Sequence, residues 1–404
     1  MDNKKNGIPK LRFPGFTGAW EQRKLGEEFK RVNERNNGEF GKDRWISVAK
    51  MYFQDPDKVT SNNIDTRTYV MRFGDIAFEG HPNNEFKFGR FVANDIGDGV
   101  VSELFPIYRH IRDYDNNYWK YAIHLERIMG PIFAKSITSS GNSSNKLAPK
   151  DLLRQSIFLP HLDEQKEIGN FLKKMDSLIT LHQRKLEHLQ EQKKGLLQKM
   201  FPKNGETVPE VRFPGFTDAW EQRKLGKVFN QTLVAINPEI ENVELWSLTI
   251  EDGLTHKTAR YNRQFLVKKE DNFKKVFPGD IVYNPMNMTL GAVGFNYMDI
   301  PVAVSGYYVT MQLNKNYDNC YFAVWLKSPI ALSLYKRYAT GSLTEKQRVQ
   351  FSTLSTIPAV LPGYKEQQKI GAFFQQLDSL ITLHQRKLDH LELMKKGLLQ
   401  QMFV

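Results

Sequence analysis

The sequence is poor in cysteine and has no long apolar segment. Cys320 is the single cysteine among 404 residues. Because a disulfide bond needs two cysteines, none can form within the chain, and this usage is typical of the reducing cytoplasm. No run approaches the ~18 apolar residues of a membrane-spanning helix, and no signal peptide is visible. These absences predict a cytoplasmic protein that does not associate with a membrane.

The motifs of common catalytic centres are also absent. Residues 38–42 have the wrong spacing for a phosphate-binding Gly-x-x-x-x-Gly-Lys-Ser/Thr loop. Asn284–Asn287 begins like the Asn-Pro-Pro-aromatic motif of amino-methyltransferases but lacks the ring on which a flipped adenine stacks. Asp57 with Glu85 and Lys87 fits a loose nuclease pattern that the second half of the chain lacks. The histidines show no metal-ligand spacing. We therefore predict no catalytic residue, no cofactor site and no metal site.

Positive charge, in contrast, is abundant. The chain has 57 Lys and Arg residues against 45 Asp and Glu, which gives a net charge of +12. A chain this basic suggests an anionic partner, either nucleic acid or a membrane surface, although solubility alone is a third explanation. The length suits two or three domains, and a hydrophobic fraction of 40% is enough for packed cores.

The sequence contains an internal repeat. The stretch LRFPGFTGAWEQRKLG at 11–26 recurs as VRFPGFTDAWEQRKLG at 211–226, and DSLITLHQRKL at 176–186 recurs at 378–388. Between these blocks the halves diverge, apart from weak matches such as Gly-Asp-Ile at 74–76 and 279–281. A repeat with constant ends and a changed middle predicts variable domains at 1–160 and 202–362, each followed by a constant helix, at 161–201 and 363–404.

The constant segments show heptad spacing. Apolar residues recur at alternating steps of four and three from Ile168 to Met200, and again from Ile370 to Met402. Two polar residues, His182 and Lys193, interrupt the first series, and the second repeats both interruptions. We expect these polar positions to fix the register of a helix pair, although His182 could instead face a partner subunit.

The natural partner of each constant helix is the other copy. Two copies of one unit in one chain tend to be related by a pseudo-twofold axis, which predicts antiparallel helices with a variable domain at each end of a rod. Such a rod would hold the domains over DNA segments about one to one and a half turns apart.

The variable domains are predicted to be mixed α/β. Runs of β-branched and aromatic residues indicate strands, and longer periodic stretches indicate helices at 117–128 and 321–339. The predicted strands are 75–78, 90–93, 280–283, 292–297 and 307–313.

Two loop regions in each half carry side chains suited to DNA. Asn, Gln, Arg and Lys pair with base edges, whereas Ser, Thr and Gly bring the backbone close to phosphate, although ordinary polar turns use the same residues. The candidate contact residues of the first half are His81, Asn83, Asn84, Lys87, Arg90, Asn142, Asn145 and Lys146. Those of the second half are Asn284, Asn287, Thr289, Ser342, Thr344, Lys346, Gln347 and Arg348.

This organisation resembles the specificity subunit of Type I restriction-modification enzymes. The matching motifs are Arg-Phe-Pro-Gly-Phe-x-x-x-Trp at 12–20 and 212–220, Pro-x-x-x-Glu-Gln-x-x-Ile at 160–168 and 362–370, and both Gly-Asp-Ile sequences. The resemblance covers the whole chain. It implies two target-recognition domains on double-stranded DNA, each reading half of a bipartite site.

The resemblance also implies partner proteins. Two methyltransferase subunits would bind along the helices, and restriction subunits with motor and nuclease activity would join for cleavage. S-adenosylmethionine, ATP and magnesium would then be bound by those partners and not by this chain. The alternative is a coiled-coil scaffold that joins two protein-binding domains without DNA, which the charge of +12 disfavours.

Overall fold

The computed structural model describes residues 7–60, 63–140, 144–256, 272–341 and 347–404. The chain divides into two compact units. The first unit comprises residues 1–183 with 386–404, and the second unit comprises residues 184–385. Each constant helix therefore contributes its beginning to one unit and its end to the other.

The elements of the first unit alternate between short strands and helices. The strands are β1 (Glu21–Lys24), β2 (Phe29–Val32), β3 (Ile46–Ser47), β4 (Tyr52–Phe53), β5 (Thr68–Met71), β6 (Ile76–Glu79), β7 (Arg90–Ala93), β8 (Gly99–Ser102), β9 (Ile107–His110), β10 (Ile137–Ser140), β11 (Asn145–Leu147) and β12 (Ser156–Leu159). The helices are α1 (Leu25–Glu28), α2 (Asn116–Ala122), α3 (Glu126–Ala134), α4 (Pro149–Arg154) and the long α5 (Leu162–Lys199).

The second unit repeats this order. Its strands are β13 (Glu221–Lys224), β14 (Phe229–Thr232), β15 (Ala235–Ile236), β16 (Trp246–Thr249), β17 (Gly253–His256), β18 (Phe273–Val276), β19 (Ile281–Tyr283), β20 (Val293–Phe295), β21 (Val302–Ser305), β22 (Val309–Leu313) and β23 (Pro358–Leu361). Its helices are α6 (Pro238–Glu241), α7 (Asn319–Trp325), α8 (Pro329–Tyr338), α9 (Phe351–Thr356) and the long α10 (Tyr364–Gln401).

Each unit is built on a four-stranded antiparallel sheet. The strand order is β2-β9-β6-β7 in the first unit and β14-β22-β19-β20 in the second. A separate pair joins the constant stretch to the strand that precedes each long helix, β1 with β12 and β13 with β23. The mixed α/β class predicted from the sequence is confirmed.

The two helices predicted at 117–128 and 321–339 are each divided into two. In the second unit, Ser328 is extended (φ −70°, ψ 153°) because it precedes Pro329, and a residue before proline disfavours the α conformation. Its hydroxyl accepts a hydrogen bond from the Ala331 nitrogen and starts a new helix. In the first unit, Leu125 is likewise extended (φ −84°, ψ 103°) between α2 and α3. The apolar spacing continues across both breaks, so the sequence pattern predicted one uninterrupted helix in each place.

The heptad residues of both constant helices are buried or half-buried, as predicted. The polar position Lys193 forms an ion pair with Asp378 at 2.5 Å inside the second unit. Its counterpart Lys395 pairs with Asp176 at 2.5 Å inside the first unit. A lysine on one helix reaches a given carboxylate on the other helix in only one alignment of the two. These pairs therefore agree with the interpretation that polar residues fix the register.

The beginning and the end of the described chain meet within the first unit. The Leu11 nitrogen donates to the Gln401 carbonyl at 3.0 Å, just as the Val211 nitrogen donates to the Lys199 carbonyl at 2.9 Å in the second unit. Residues 402 and 403 occupy in the first core the place that residues 200 and 201 take in the second.

A circular permutant is therefore expected to fold. Joining Val404 to Met1 and opening the chain within the exposed turn 203–206 leaves every sheet and both helix segments of each unit intact. We expect a urea unfolding midpoint close to that of the parent chain. A permutant opened inside β6 is the control, and it should not fold. Equal failure of both permutants would contradict the expectation.

A half-buried histidine packs against the core of the first unit. His110 lies 4.3 Å from the ring of Phe29 and stacks on Tyr114 at 3.7 Å. Neither ring nitrogen has a hydrogen-bond partner, and burial lowers the pKa of His110 to about 3. The second unit places Leu313 opposite Phe229 at the corresponding position. An apolar side chain therefore suits this place in the fold.

This histidine should make the first unit sensitive to acid. Below the ordinary pKa of 6.5, the unfolded chain takes up a proton that the folded unit does not, so stability falls as the pH drops from 6.5 towards 3. The loss is about 1.4 kcal/mol per pH unit, or about 2 kcal/mol between pH 7 and pH 5. Urea unfolding at both pH values should show that His110→Leu removes this loss. An identical pH dependence of the variant would contradict the prediction.

Candidate nucleic-acid interface

The constant motifs form a buried ion pair at the base of each unit. Arg12 donates from Nε and one terminal nitrogen to both carboxylate oxygens of Glu164, at 2.6 and 2.7 Å. Arg212 and Glu366 repeat this at 2.7 and 2.8 Å. The glutamate side chains are only 1–2% exposed. A paired, planar contact of this kind fixes the variable domain on its helix.

Gln165 and Gly169, which follow Glu164 in the first constant helix, also hold the variable domain on that helix. The Gln165 amide donates to the Pro160 carbonyl at 3.1 Å, while its oxygen accepts from the Asp115 nitrogen at 3.4 Å. Asp115 in turn caps α2. A β-carbon at Gly169 would lie 2.6 Å from the Tyr118 nitrogen, so only glycine allows α2 to approach α5 this closely. Gly371 is in the same position against Tyr321, at 2.5 Å.

The Gly-Asp-Ile sequences form a buried turn that precedes the first candidate loop. Asp75 accepts two hydrogen bonds from Arg109, both at 2.8 Å, and burial raises the pKa of its carboxyl group. Asn94, which is fully buried, donates to the carbonyls of Met71, Arg72 and Gly97 at 2.8–3.1 Å. Asn296 has the same role in the second unit. Sequence reasoning missed both asparagines, because a single buried amide leaves no periodic signal.

The loop between β6 and β7 contains four of the eight first-half candidates. His81, Asn84 and Lys87 are exposed. Asn83 is also exposed, but its side-chain oxygen Oδ1 accepts from the backbone nitrogens of Glu85 and Phe86 at 2.8 and 2.9 Å, which shapes the loop. The loop therefore presents two polar side chains and one cation on a turn that is itself fixed.

Arg90 is placed differently from the other candidates. It is half-buried, and its Nε donates to Glu79 at 2.8 Å while a terminal nitrogen donates to the Ala49 carbonyl at 2.7 Å. The guanidinium group also lies over the ring of Phe86, 5.3 Å from its centroid. These contacts engage Arg90 with the protein on several sides.

The structure brings the two predicted loop regions of each half together. In the first unit the Asn145 nitrogen donates to the Gly80 carbonyl at 2.8 Å, so Lys146, which is exposed, lies near the β6–β7 loop. In the second unit the Val349 nitrogen donates to the Pro285 carbonyl at 2.9 Å. This joins the segment of Gln347 and Arg348 to the β19–β20 loop.

The second unit presents a more apolar surface at this place. Asn287 and Thr289 are half-buried, while Met286 is 49% and Leu290 is 56% exposed. The side-chain oxygen of Asn284 accepts from the Met286 nitrogen at 3.0 Å and shapes the turn. Arg348 is exposed and pairs through its backbone with Thr340. The candidates Asn142, Ser342, Thr344 and Lys346 lie outside the described residues.

In the part of the chain that the structure describes, no helix is both long and apolar enough to cross a membrane. Across the same residues, His, Cys, Asp and Glu side chains do not gather into a group that could hold a metal ion.

Comparison with known proteins identifies relatives over nearly the whole chain. The family model described as Type I restriction modification DNA specificity domain matches residues 105–191 and 218–393. The putative type I restriction enzyme MjaX specificity subunit of Methanocaldococcus jannaschii is 23% identical over 408 residues, which cover 95% of this chain and 88% of that protein.

Solved structures resemble the chain in fold. The S subunit of a Type I restriction-modification system from M. genitalium matches with a TM-score of 0.58 and 15% identity, over 98% of this chain and 99% of that one. The HsdS subunit from Thermoanaerobacter tengcongensis matches with a TM-score of 0.45 and 15% identity, over 97% of each chain. The first of these likenesses supports the same arrangement of strands and helices.

Proposed function

Because the chain belongs to the family of Type I restriction-modification DNA specificity proteins, we propose that it reads a DNA target in two parts, one part with each unit. The observation that carries this proposal is the meeting of two candidate loops in each unit. The residues of these loops differ between the units, whereas the Arg–Glu pairs and the glycines that support them are the same.

The side chains of the loops divide into groups with different chemistry. Lys87, Lys146 and Arg348 are exposed cations that suit phosphate. Asn and Gln side chains suit base edges, and the exposed apolar side chains beside Thr289 suit the methyl group of thymine. The proposed base-reading residues are His81, Asn84, Asn145, Asn287, Thr289 and Gln347, with Asn83, Asn284 and Arg90 shaping the loops.

Partner subunits would bind on the constant helices. Leu178 and Leu181 are 46% and 61% exposed, and their counterparts Leu380 and Leu383 are 45% and 46% exposed. Exposed leucine pairs that recur at equivalent positions suit two identical partners, which we propose to be methyltransferase subunits. Restriction subunits join them for cleavage. The chain itself is proposed to be non-catalytic, with S-adenosylmethionine, ATP and magnesium bound by the partners.

The salt dependence of DNA binding tests this function. Each cation that contacts phosphate releases counterions, so Lys87→Ala, Lys146→Ala and Arg348→Ala should each reduce the slope of log affinity against log salt by about one unit. Fluorescence anisotropy of the full chain with a random duplex measures the slope. Lys24→Ala, which removes an exposed lysine from the constant strand β1, is the matched control. Binding of a random duplex that did not depend on salt would contradict the proposal, and complete absence of binding would favour the scaffold alternative.

A further inference from the structure

A hairpin lies against the loop between β6 and β7 in the first unit. None of its residues is among the DNA contacts predicted from the sequence. Strands β3 and β4 form this hairpin, and their turn comprises residues 48–51. The Ala49 carbonyl in this turn accepts the 2.7 Å hydrogen bond from Arg90. The buried side chain of Val48, 2% exposed, anchors the turn on the core of the unit. Hairpin and loop are therefore neighbouring parts of one surface.

Arg90 links the hairpin to the loop. Its Nε binds Glu79 at the end of β6, its terminal nitrogen binds the hairpin, and the face of its guanidinium group covers Phe86 within the loop. A guanidinium group has donors in a fixed fork, so it can hold two segments at a defined distance in a way that a lysine cannot. Arg90 is therefore a positioning residue, and its neighbours are the residues available to contact a ligand.

The tip of the hairpin carries side chains suited to a nucleic acid. Lys50 is exposed, and Tyr52 is 49% exposed. Met51 between them adopts a left-handed backbone conformation (φ 48°), which is costly for a residue other than glycine. The turn therefore presents a cation and an aromatic ring on either side of Met51, whose backbone conformation is constrained. A lysine suits phosphate, and an aromatic ring suits the sugar or base next to it.

The corresponding hairpin of the second unit has the opposite charge. The position is equivalent, because Trp45 bridges Val100 before the first hairpin and Leu245 bridges Ala303 before the second. The turn between β16 and β17, however, exposes Glu251 and Asp252. Carboxylates in this place would repel phosphate. The positive tip of the first hairpin is thus a property of one unit and not a requirement of the fold.

We propose that the β3–β4 hairpin is a third DNA-contacting segment of the first unit, in which Lys50 binds phosphate and Tyr52 lies against the adjoining nucleotide, and that Arg90 holds it in place. This inference rests on the proposed function. It adds a contact that the second unit lacks, so the two units should differ in how strongly they depend on salt.

Salt titration of the full chain with a random duplex tests the contact. Lys50→Ala should lower the salt slope by about one unit, whereas the matched control Glu251→Ala should not lower it. Arg90→Lys retains the charge but not the fork. If Arg90 positions the hairpin, Lys50→Ala should lower the slope in the parent chain and have little further effect in the Arg90→Lys chain. Thermal unfolding of each variant monitors folding.

A photo-crosslinking side chain at position 52 provides an independent test. It should crosslink to the duplex, and the same side chain at Leu181, which is 61% exposed on α5, should not. An unchanged slope for Lys50→Ala together with no crosslink from position 52 would overturn the hairpin contact. If Lys87→Ala lowered the slope in that case, the proposed function would stand. A parent chain that bound no duplex would overturn both.

Discussion

Under the proposed function, replacing residues 29–155 with residues 229–357 of the same chain is expected to make both units recognise the same half of the DNA target. The exchanged segment begins after α1 and ends before β12, so it contains the proposed reading loops and the Gly-Asp-Ile turn but neither the Arg-Phe-Pro-Gly-Phe motif nor the constant helix. The ends match, because Leu25 donates to the Gln155 carbonyl at 2.8 Å and Leu225 donates to the Ile357 carbonyl at 2.9 Å.

The incoming segment should fit its new position. Asp318 caps Tyr321 in the second unit as Asp115 caps Tyr118 in the first, at 2.8 and 2.7 Å. The glycine of either constant helix can therefore receive the helix that follows the cap. The buried Arg–Glu pair is outside the exchange and still fixes the domain.

Sequencing of methylated adenines in cells that produce the chimera with its partner subunits measures the outcome. The first half of the target should be replaced completely, and the second half should remain. The reciprocal chimera, with residues 29–155 in place of 229–357, is the matched control and should duplicate the other half. A target in which both halves differ from those of the parent would show that the units do not read independently.

Removal of Arg12 is expected to have the largest effect on stability. Glu164 is 1% exposed, and its carboxylate receives two short hydrogen bonds from this single partner. Arg12→Ala leaves a buried charge without compensation, which costs about 3–5 kcal/mol. Urea unfolding should show this loss in the first unit, and Arg212→Ala should produce it in the second.

Two further variants separate charge from packing. Glu164→Gln in the Arg12→Ala chain removes the buried charge and should recover a large part of the lost stability. Arg35→Ala breaks an ion pair whose side chains are 41% and 34% exposed, so it should cost no more than about 1 kcal/mol. If Arg12→Ala cost as little as Arg35→Ala, the prediction would be wrong. Water would then have to solvate Glu164 once its ion-pair partner is removed.

Some features of the molecule were determined by the sequence itself, because their signals are local. The repeat, the heptad spacing and the alternation of short strands with helices predicted two mixed α/β units and their constant helices. Each of these patterns can be recognised within one stretch of chain. The helix break at Pro329 was also a local signal, but the apolar periodicity of 321–339 outweighed it in the prediction.

Only the tertiary structure decided which residues act together. Arg12 and Glu164, Gly80 and Asn145, and Arg90 and Ala49 are far apart along the chain, and their contacts arise only once strands pair and helices pack. Residue type therefore identified Arg90 as a possible DNA contact, whereas its donors are engaged by Glu79 at the end of β6 and by the Ala49 carbonyl of the hairpin. The physical reason is that a side chain's role depends on where its hydrogen bonds are satisfied, and distant segments supply those partners.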